Sequence, residues 1–449
     1  MACILRVMQT NSAGNAKNYF EISTVQCVRG QPQRTKRIRV FHFRALAEQL
    51  ARVCDHSSSP FRNERISPCH SIIRMTSANA FSRLVPITST ASSETTALYK
   101  WLLSAKKNNG YIVGVNDMIW GMPDTDPTPV IHGTEQTFLG ITERWPGFLG
   151  MEYHDPLWLN RYGRAATNLV RTALVLAHAR GSVIGLHNHP GNPVTGQMSR
   201  NGLSWRTARS SRGNYGDRDG SPVASLMTGG EQEKQFLDWL DRIAEFIASL
   251  IDRNGAKIPI IFRPFHEQSA GTWFWWNGED RAADMVQVWR KMVDYLRNEK
   301  GLTNVLYCWN VNVHRNFDFT PYWPGTNYVD LISIDIYDNR NSPEISFDGE
   351  WTRKCYDILA GLANATEKPL MCSELGYQFH VEQGISDIWD VRTGEALAQR
   401  YSDFGIVALW DRPWGPQLSD PAPIKDSLRR WIEGPHALTA DRLAGIYRN

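Results

Sequence analysis

The chain has 449 residues, of which 42% are hydrophobic and 21% charged, and its net charge is +3. This composition is ordinary for a globular protein, and no run approaches the ~20 apolar residues that span a bilayer, so we expect a soluble protein without a membrane partner. The seven cysteines show neither zinc-like spacing nor a legible disulfide framework, which argues against a disulfide-stapled scaffold.

The first 94 residues form a basic, Ser- and Arg-rich segment. Within it, residues 1–90 carry 13 basic against four acidic residues, a net charge of +9 that leaves −6 for the rest of the chain. Apolar residues at helical spacing predict one short helix in 41–56, and we expect the remainder to be poorly ordered. We favour a solvated tail or a translation start placed too far upstream, with nucleic-acid binding or targeting as the alternative. The start lacks the long apolar region of a secretory signal.

Residues 95–435 alternate short apolar runs with amphipathic segments. Eight runs predict buried strands: YIVGV (111–115), GFLGMEY (147–153), SVIGLH (182–187), IPIIFRPF (258–265), NVLYCW (304–309), VDLISIDIY (329–337), KPLMCSE (368–374) and GIVALW (405–410). The segment 231–255 shows the clearest helical pattern and stops at Asn254-Gly255, a common C-terminal signal. Buried strands that are each followed by a helix indicate a parallel sheet with helices outside it.

Eight strand–helix units over roughly 340 residues fit a (β/α)8 TIM barrel better than an open sheet. A doubly wound sheet is the alternative, but no glycine-rich dinucleotide turn follows the first strand. The sequence therefore predicts a barrel domain at 95–435 and a C-terminal tail at 436–449. The long connection 191–230 would leave the carboxyl end of the third strand, which is the end at which TIM barrels form their active sites.

Polar and charged side chains follow the predicted strands at this same end. Strand four is followed by Arg263, His266 and Glu267, and strand seven ends in Glu374. The other strand ends carry His187, Asn188 and His189 (strand three), Asp335, Tyr337 and Asp338 (strand six), and Trp410 with Asp411 (strand eight). In a barrel all of these residues would point into one bowl, with Glu267 and Glu374 facing each other across it.

A facing pair of carboxylates is what glycosidic bond cleavage requires. One carboxyl protonates the leaving oxygen while the other attacks or orients the anomeric carbon, and a separation of about 5 to 5.5 Å gives retained configuration. Apolar surroundings raise a carboxyl pKa, so Glu267, which precedes four aromatic residues, fits the acid. Glu374 must stay ionised, with Tyr337 or a histidine as its hydrogen-bond donor.

Aromatic residues near the two glutamates predict a sugar-binding surface. The chain holds 17 Trp, 15 Tyr and 17 Phe residues, and many stand beside Gly, Pro, Asn or Asp rather than inside apolar runs. About half should pack the core, and the rest favour a cleft that stacks flat apolar ligand faces. We expect the rings of Trp273, Trp276 and Trp410 to stack on sugars, whereas Trp275 is expected to face the core.

Three motifs stand out in the barrel region: RPFHE followed by WFWW, CSELGY near the C-terminus, and RWPGFLGMEYHD early in the barrel. Together they resemble glycoside hydrolase family 26, a family of endo-β-mannanases and related β-glycanases on a (β/α)8 barrel. The resemblance covers residues 95–435 and does not include the basic segment. His-Glu after strand four is specific, because most related barrel glycosidases carry Asn-Glu there, and the spacing of 107 residues between the two glutamates also matches.

The resemblance implies a role for each strand-end residue. Glu267 would be the acid/base and Glu374 the nucleophile, with Arg263 as the buried support of the nucleophile. The other implied roles are sugar contact at the cleavage site for His266, a hydrogen bond to the nucleophile from Tyr337, the subsite before the scissile bond for His189 and Trp410, and a further sugar platform for Trp273. One departure is that the step from Glu267 to the first Trp is one residue longer than in the common family form.

The implied function is that of a retaining endo-β-1,4-mannanase acting on mannan, glucomannan or galactomannan without a cofactor or a metal. β-1,3-Xylan and mixed-linkage glucan stay open as substrates, because relatives in the family use each of them. We expect a monomer whose partner is a β-linked polysaccharide rather than a nucleic acid. Such a substrate implies secretion, although no signal peptide is visible.

Two other classes of function agree with parts of the pattern. The HxH pair of His187 and His189 resembles a metallohydrolase ligand pair, to which His266 and Asp335 could add ligands. No lysine or second late histidine ends a strand, which disfavours this class. A carbohydrate-binding pseudoenzyme would bind without cutting, and the presence of both glutamates disfavours it.

Overall fold

The computed structural model divides the chain into two compact units, Met1–Ile66 and Ser67–Asn449. In the first unit the structure describes five short strands. In the second unit it describes residues 85–105, 110–120, 130–131, 133–152, 156–188, 190, 193, 222–269, 274–277, 281–338, 341–411 and 413–447.

The first unit contains a small antiparallel sheet. Its strands are Leu5–Thr10, Tyr19–Thr24 and Ile38–Val40, with Tyr19–Thr24 in the centre, and a separate pair joins Cys27–Val28 to Gln31–Pro32. We did not predict these strands from the sequence, although Phe20 and Ile22 alternate with polar neighbours as in a half-buried strand. The short helix predicted in 41–56 lies outside the described residues.

Eight parallel strands form a closed barrel in the second unit. In chain order they are β1 (Tyr111–Asp117), β2 (Phe148–Glu152), β3 (Val183–His187), β4 (Ile260–Arg263), β5 (Val305–Asn312), β6 (Leu331–Tyr337), β7 (Leu370–Gly376) and β8 (Phe404–Leu409). Each strand pairs in parallel with the next, and β8 pairs with β1, which closes the sheet. The (β/α)8 barrel is therefore confirmed, and every predicted run overlaps one observed strand.

Helices precede β1 and connect most of the strands. They are α1 (Ser93–Ser104), α2 (Thr134–Thr142), α3 (Pro156–Arg180), α4 (Glu233–Ala248), α5 (Ala282–Asp294), α6 (Glu350–Thr366), α7 (Gln378–Glu382), α8 (Ala396–Gln399) and α9 (Ala422–Glu433). Between β5 and β6, the short 3-10 helices Thr320–Tyr322 and Thr326–Tyr328 take the place of an α-helix. None of the described helices combines the length and the apolar character that crossing a membrane requires.

Helix α4 is shorter than its sequence pattern predicts. Its buried face consists of Phe236, Trp239, Leu240, Ile243, Ala244, Phe246 and Ile247, at the spacing of an amphipathic helix. The helix ends at Ala248, seven residues before the predicted stop at Gly255. The carboxylate of Asp252 accepts hydrogen bonds from the main-chain N–H groups of Asn254 and Ala256, and this local turn replaces the last helical turns.

The segment after α9 returns to the barrel. Strand Ala437–Leu438 pairs in parallel with β1, and the side chains of Leu443 and Ile446 are buried. Part of the segment predicted as a C-terminal tail therefore packs against the barrel.

Strand β7 carries one extra residue near its carboxyl end. Ile334 of β6 pairs with Cys372, and the next residue of β6, Asp335, pairs with Glu374, so Ser373 is the additional residue. The pairing of β7 with β8 shows the same offset. Such bulges redirect side chains and are common next to active sites. Here Ser373 and Glu374, which are adjacent in the chain, both contact a polar cluster inside the barrel.

Candidate active site

A strained turn after β4 carries Glu267. The strand ends at Arg263, and Phe265 and Glu267 then adopt positive φ angles of 45° and 56°. This conformation costs a non-glycine residue about 1–3 kcal/mol and is concentrated at functional sites. The main-chain N–H of Glu267 donates to Oδ1 of Asn310 at 2.5 Å, and that of Gln268 donates to the Asn310 carbonyl at 2.9 Å. Strand β5 thus holds the turn in place.

The structure brings Glu267 and Glu374 together with Asp335. One carboxylate oxygen from each of the three lies within 4.8 Å of the other two. All three residues are buried, with exposed fractions of 8% for Glu267, 3% for Glu374 and 1% for Asp335. The distance between the two glutamates fits the about 5 to 5.5 Å of retaining glycosidases rather than the about 6.5 to 9.5 Å of inverting ones.

Two donors hold the carboxylate of Glu374. Arg263 donates from Nη2 to Oε1 of Glu374 and from Nη1 to Asp335 at 2.9 Å. The hydroxyl of Tyr337 donates to Oε2 of Glu374 at 2.5 Å. Burial raises the pKa of Tyr337 well above its usual value, and the charge of Glu374 raises it further, so the hydroxyl keeps its proton. A guanidinium and a hydroxyl group therefore each contact one oxygen of Glu374 and fix the orientation of its carboxyl group.

Glu267 has the opposite environment. Burial raises its pKa well above the usual value, and the negative charges of Asp335 and Glu374 raise it further, while Arg263 opposes the rise. The carboxyl therefore keeps a proton at a pH where an exposed glutamate has lost it. Two carboxyls in opposed environments are the arrangement that separates an acid from a nucleophile.

A polar cluster inside the barrel surrounds Asp335. Its carboxylate accepts hydrogen bonds from Asn310 at 3.0 Å and from Ser373 at 2.6 Å, in addition to the one from Arg263. Burial raises the pKa of Asp335, and Arg263 counteracts that rise. The side chain of Asn116 on β1 donates to the carbonyl of Ser373 at 2.8 Å. Strands β1, β4, β5, β6 and β7 therefore all contribute to one network.

We did not identify Asn310 from the sequence. Asp335 was predicted to point into the bowl, but the one role considered for it was that of a metal ligand. The apolar run that predicts β5 stops at Trp309, whereas the strand continues to Asn312. In these last residues Asn310 and Asn312 flank one apolar residue, which is the period of two that places both on the same face of a strand. Polar residues at this spacing, at the carboxyl end of a buried strand, were the available signal.

The described part of the WFWW run packs on itself. The rings of Phe274 and Trp276 stack with centroids 4.3 Å apart and an interplanar angle of 6°. Trp276 is 0% exposed, and its Nε1–H donates to the carbonyl of His266 at 2.8 Å. Trp276 is therefore a core residue and differs from the sugar platform that the sequence predicts, because its ring faces are taken up by packing. Trp275 is buried as expected, and its Nε1–H donates to the carbonyl of Pro190 at 2.8 Å.

Two of the predicted sugar contacts lie next to the glutamates. His266, immediately before Glu267, is buried. Trp410 follows β8, and its ring centroid lies 6.5 Å from that of Tyr337 and 5.5 Å from that of His187. Trp410 therefore flanks Tyr337, which donates to Glu374. Two further predicted contacts lie outside the described residues: His189 and Trp273.

Within the described part of the chain, the three carboxylates form the one group of potential metal ligands. Their chemistry fits a proton-sharing cluster better than a metal centre. Arg263 already donates to both Asp335 and Glu374, so a cation would compete with the guanidinium for the same oxygens. The raised pKa of Glu267 also makes this carboxyl a poorer metal ligand. His187, the described member of the alternative HxH pair, is not part of this group.

A sequence match over most of the barrel identifies the family of this chain. The sequence model of glycosyl hydrolase family 26 matches residues 87–391. The chain belongs to this family. The matched range includes β1 to β7 and therefore both Glu267 and Glu374, and it confirms the resemblance drawn from the three sequence motifs.

Curated relatives of this family 26 chain align with it over part of their length. A mannan endo-1,4-beta-mannosidase from Bifidobacterium adolescentis is 34% identical over 175 residues, which are 38% of this chain and 16% of the relative. The mannan endo-1,4-beta-mannosidase A and B of Caldalkalibacillus mannanilyticus is 28% identical over 191 residues, which are 41% of this chain and 33% of the relative. The matched part thus spans no more than a third of the length of either relative.

The fold of the family 26 chain also matches solved structures. GH26C from Muricauda sp. MAR_2010_75 superposes with a TM-score of 0.67 at 24% sequence identity, over 84% of this chain and 97% of that chain. Similarity at this level of identity establishes the fold. The chemistry rests on the geometry of the residues themselves.

Proposed function

We propose that this family 26 chain is a retaining endo-β-1,4-mannanase that cleaves mannan, glucomannan or galactomannan. The observation that supports it most directly is the pair Glu267 and Glu374, which have one carboxylate oxygen each within 4.8 Å of the other and lie in opposed environments. Family membership supports hydrolysis of a glycosidic bond. The names of the two bacterial relatives support β-1,4-mannan as the substrate.

In the first step, Glu374 attacks the anomeric carbon of the sugar at the cleavage site. A bond forms between a carboxylate oxygen and that carbon while the glycosidic C–O bond breaks, and the proton of Glu267 passes to the leaving oxygen. Arg263 and Tyr337 contact the two oxygens of Glu374 and so fix the plane of the attacking carboxylate.

In the second step, a water molecule takes the place of the departed sugar. Glu267, now ionised, removes a proton from this water as the water oxygen bonds to the anomeric carbon and the bond to Glu374 breaks. Both glutamates return to their initial protonation states. The product keeps the original anomeric configuration, because the carbon has been inverted twice.

The sugar next to the scissile bond is proposed to contact the residues that flank the glutamates. Support for His266 and Trp410 comes from their positions, since His266 immediately precedes Glu267 in the chain and the ring centroid of Trp410 lies 6.5 Å from that of Tyr337. His189 and Trp273 keep the contacts that the family resemblance implies. Which hydroxyl groups these side chains meet decides between mannan, β-1,3-xylan and mixed-linkage glucan. A mannan chain is distinguished by the axial 2-hydroxyl of each sugar.

A reducing-sugar assay on mannan, β-1,3-xylan and mixed-linkage glucan tests the proposal. The full chain should release reducing ends fastest from mannan, and Glu374→Ala should lower turnover by at least about a thousandfold while circular dichroism shows a folded protein. Near-normal activity of Glu374→Ala would refute the mechanism. Faster hydrolysis of xylan or glucan would keep the mechanism and change the substrate. Binding of mannan without release of reducing ends would identify a carbohydrate-binding protein instead.

The stereochemistry provides an independent check on the double displacement. Proton NMR of an early time point should show the β-anomer of the new reducing end before it mutarotates. An α-anomer would require a single displacement, which the short distance between the glutamates does not accommodate.

A further inference from the structure

We infer that Asn310 is a positioning residue that holds the acid/base Glu267 in place relative to the nucleophile Glu374. The inference rests on the proposed function, because it gives Asn310 a part in the glycosidase reaction. Asn310 lies on β5, which pairs with the strand that leads to Glu267. Its side chain is fully buried, and its amide contacts both halves of the site.

The oxygen of the Asn310 amide faces the acid. Oδ1 accepts the main-chain N–H of Glu267 at 2.5 Å, and the Asn310 carbonyl accepts that of Gln268 at 2.9 Å. The regular pairing of β4 with β5 ends at Phe262, so these two bonds attach the chain beyond the strand. Glu267 has a φ of 56°, and a non-glycine residue keeps such a conformation only where its surroundings hold it.

The nitrogen of the same amide faces the network around the nucleophile. Nδ2 of Asn310 lies 3.0 Å from Oγ of Ser333, 3.0 Å from Oδ1 of Asp335 and 2.9 Å from Oγ of Ser373. A main-chain N–H can only donate, so the amide oxygen must be the atom that faces Glu267 and the NH2 group the one that faces Asp335. Asparagine is suited to this position because it offers an acceptor on one side and donors on the other.

These contacts form a continuous path between the two glutamates. From the main chain of Glu267 the path runs through Asn310 to Asp335, from there to Arg263, and so to the carboxylate of Glu374. Every side chain on the path is buried. The amide of Asn310 therefore ties the turn that carries the acid to the residues that hold the nucleophile.

This hydrogen-bonded connection between the two glutamates matters for proton transfer. The acid must lie within hydrogen-bond reach of the leaving oxygen, and a displacement of about 1 Å can cost roughly a hundredfold in rate. Without the amide, the main-chain N–H of Glu267 loses its acceptor, and the remaining side-chain bond of similar length is the one that Asn277 donates to the carbonyl of Glu267 at 2.9 Å. A variant without the amide should therefore lose rate in the steps that need a proton, and the loss should be small where the leaving group departs without one. A purely structural role would lower the activity on all substrates alike.

The test compares Asn310→Ala with the wild-type full chain on two aryl β-mannobiosides. Dinitrophenolate departs without help from an acid, whereas phenolate needs a proton. We expect kcat/KM on the phenyl substrate to fall at least about tenfold more than on the dinitrophenyl substrate. Azide, a nucleophile that needs no general base, should raise the turnover of the dinitrophenyl substrate by the variant. Equal losses on both substrates, or no loss, would overturn the inference.

Asn304→Ala is the matched control. Asn304 precedes the opposite end of β5, is fully buried and donates from Nδ2 to the carbonyl of Ile258 at 2.8 Å. Its loss should lower the stability of the barrel without changing the ratio of kcat/KM between the two aryl substrates. A change in that ratio equal to the one in Asn310→Ala would show that any weakened β5 produces it, and would overturn the inference.

Asn310→Ser keeps the test decisive if Asn310→Ala does not fold. The serine side chain is one bond shorter than asparagine, so its hydroxyl does not reach the N–H of Glu267, but it leaves a polar group in the buried site instead of a methyl group. The folded serine variant should show the same selective loss on the phenyl substrate. A folded Asn310→Ser with the wild-type ratio of kcat/KM would count against the inference as strongly as the alanine result.

Glu267→Ala separates a failure of this inference from a failure of the proposed function. If Glu267 is the acid/base, this variant shows the dependence on the leaving group and the azide effect in their strongest form. Their absence would refute the proposed function and with it the role of Asn310. If Glu267→Ala shows both effects but Asn310→Ala keeps the wild-type ratio of kcat/KM between the two aryl substrates, the role of Asn310 alone is refuted. Since Asn310 acts through Glu267, the double variant should be little worse than Glu267→Ala.

Discussion

At Glu267, burial and the negative charges of Asp335 and Glu374 all favour the protonated carboxyl, and Arg263 opposes them. The proposed reaction needs a protonated Glu267 and an ionised Glu374 at the same time, so kcat/KM should follow a bell-shaped pH profile. Because the pKa of Glu267 is raised, the basic limb should lie well above 4.5, the usual value for glutamate. Rates on a soluble mannooligosaccharide across the pH range measure this.

The dinitrophenyl mannobioside is the control for that profile. Its glycosylation step needs no proton from Glu267, so the basic limb of kcat/KM should be absent or strongly reduced on this substrate. A basic limb that falls near the usual glutamate pKa, or that is the same on both substrates, would contradict the assignment of Glu267 as the acid.

The raised pKa of Glu267 also makes the free energy of unfolding depend on pH. As pH rises above the usual glutamate pKa, the unfolded chain releases the proton before the folded chain does. The free energy of unfolding should therefore fall by up to about 1.4 kcal/mol per pH unit until the folded-state pKa is reached. Glu267→Gln cannot ionise, so it should lose less stability than the wild type between about pH 5 and pH 8. Urea unfolding at both pH values measures the difference, and equal losses would contradict it.

The sequence predicts which residues reach the site better than how each is used. Glu267 and Glu374 can be found because each stands at the carboxyl end of a buried strand, where a barrel forms its bowl. The burial of Trp276 cannot be read in the same way, since it depends on Phe274 occupying one face of its ring. Packing between neighbours on an irregular loop leaves no periodicity in the sequence.

At the scale of elements, the aromatic cluster after β4 is a packing unit. Trp276 is stacked on Phe274 and bonded to the carbonyl of His266. Trp276→Ala should lower the free energy of unfolding by about 3–5 kcal/mol, the range for truncating a buried aromatic side chain. Chemical denaturation measures this. A variant with unchanged stability and a raised KM for mannan would restore the predicted role of Trp276 as a sugar platform.

The barrel strands were predictable because helices cover a parallel sheet, so both faces of each strand are buried and each reads as an apolar run. The residues at which strands and helices end were less predictable. At β5, Asn310 and Asn312 look like loop residues, yet their amide groups bond to polar groups on neighbouring strands and turns inside the barrel. At α4, a turn built by Asp252 ended a helix whose apolar pattern continued. At β5 the partners are side chains that are distant in the sequence, and at α4 the partner is local main chain, so neither boundary follows from the apolar pattern.

At the scale of the whole molecule, every described site residue belongs to the second unit. A chain that begins at Ser67 should therefore keep the kcat/KM of the full chain on mannan. A reducing-sugar assay on the two proteins, at equal concentrations, measures this. A loss of about tenfold or more would show that the first unit contributes to catalysis or substrate binding.

A chain that begins at residue 95 should be less stable than one that begins at Ser67. It would lack the main-chain N–H of Ile87, which donates to Oδ1 of Asp330 at 2.7 Å, and it would lack Ser92, whose hydroxyl caps α1. Loss of a helix cap alone costs about 1 kcal/mol. Oδ1 of Asp330 would also lose its main-chain donor, which adds to this cost, while Oδ2 keeps the N–H of Tyr307. Thermal unfolding of the two proteins tests this. Equal melting temperatures would support the predicted boundary at residue 95 instead.

The extra residue in β7 limits how this chemistry can be moved to another scaffold. In a regular strand, neighbours in the chain point to opposite faces. Without the bulge, Ser373 and Glu374 could not both reach Asp335 and Arg263 from the same strand. Idealised barrels are built from regular strands, so grafting the same amino acids onto one would present a glutamate without its support. To transfer this active site to another protein, the bulged backbone of β7 would have to be transferred together with the side chains.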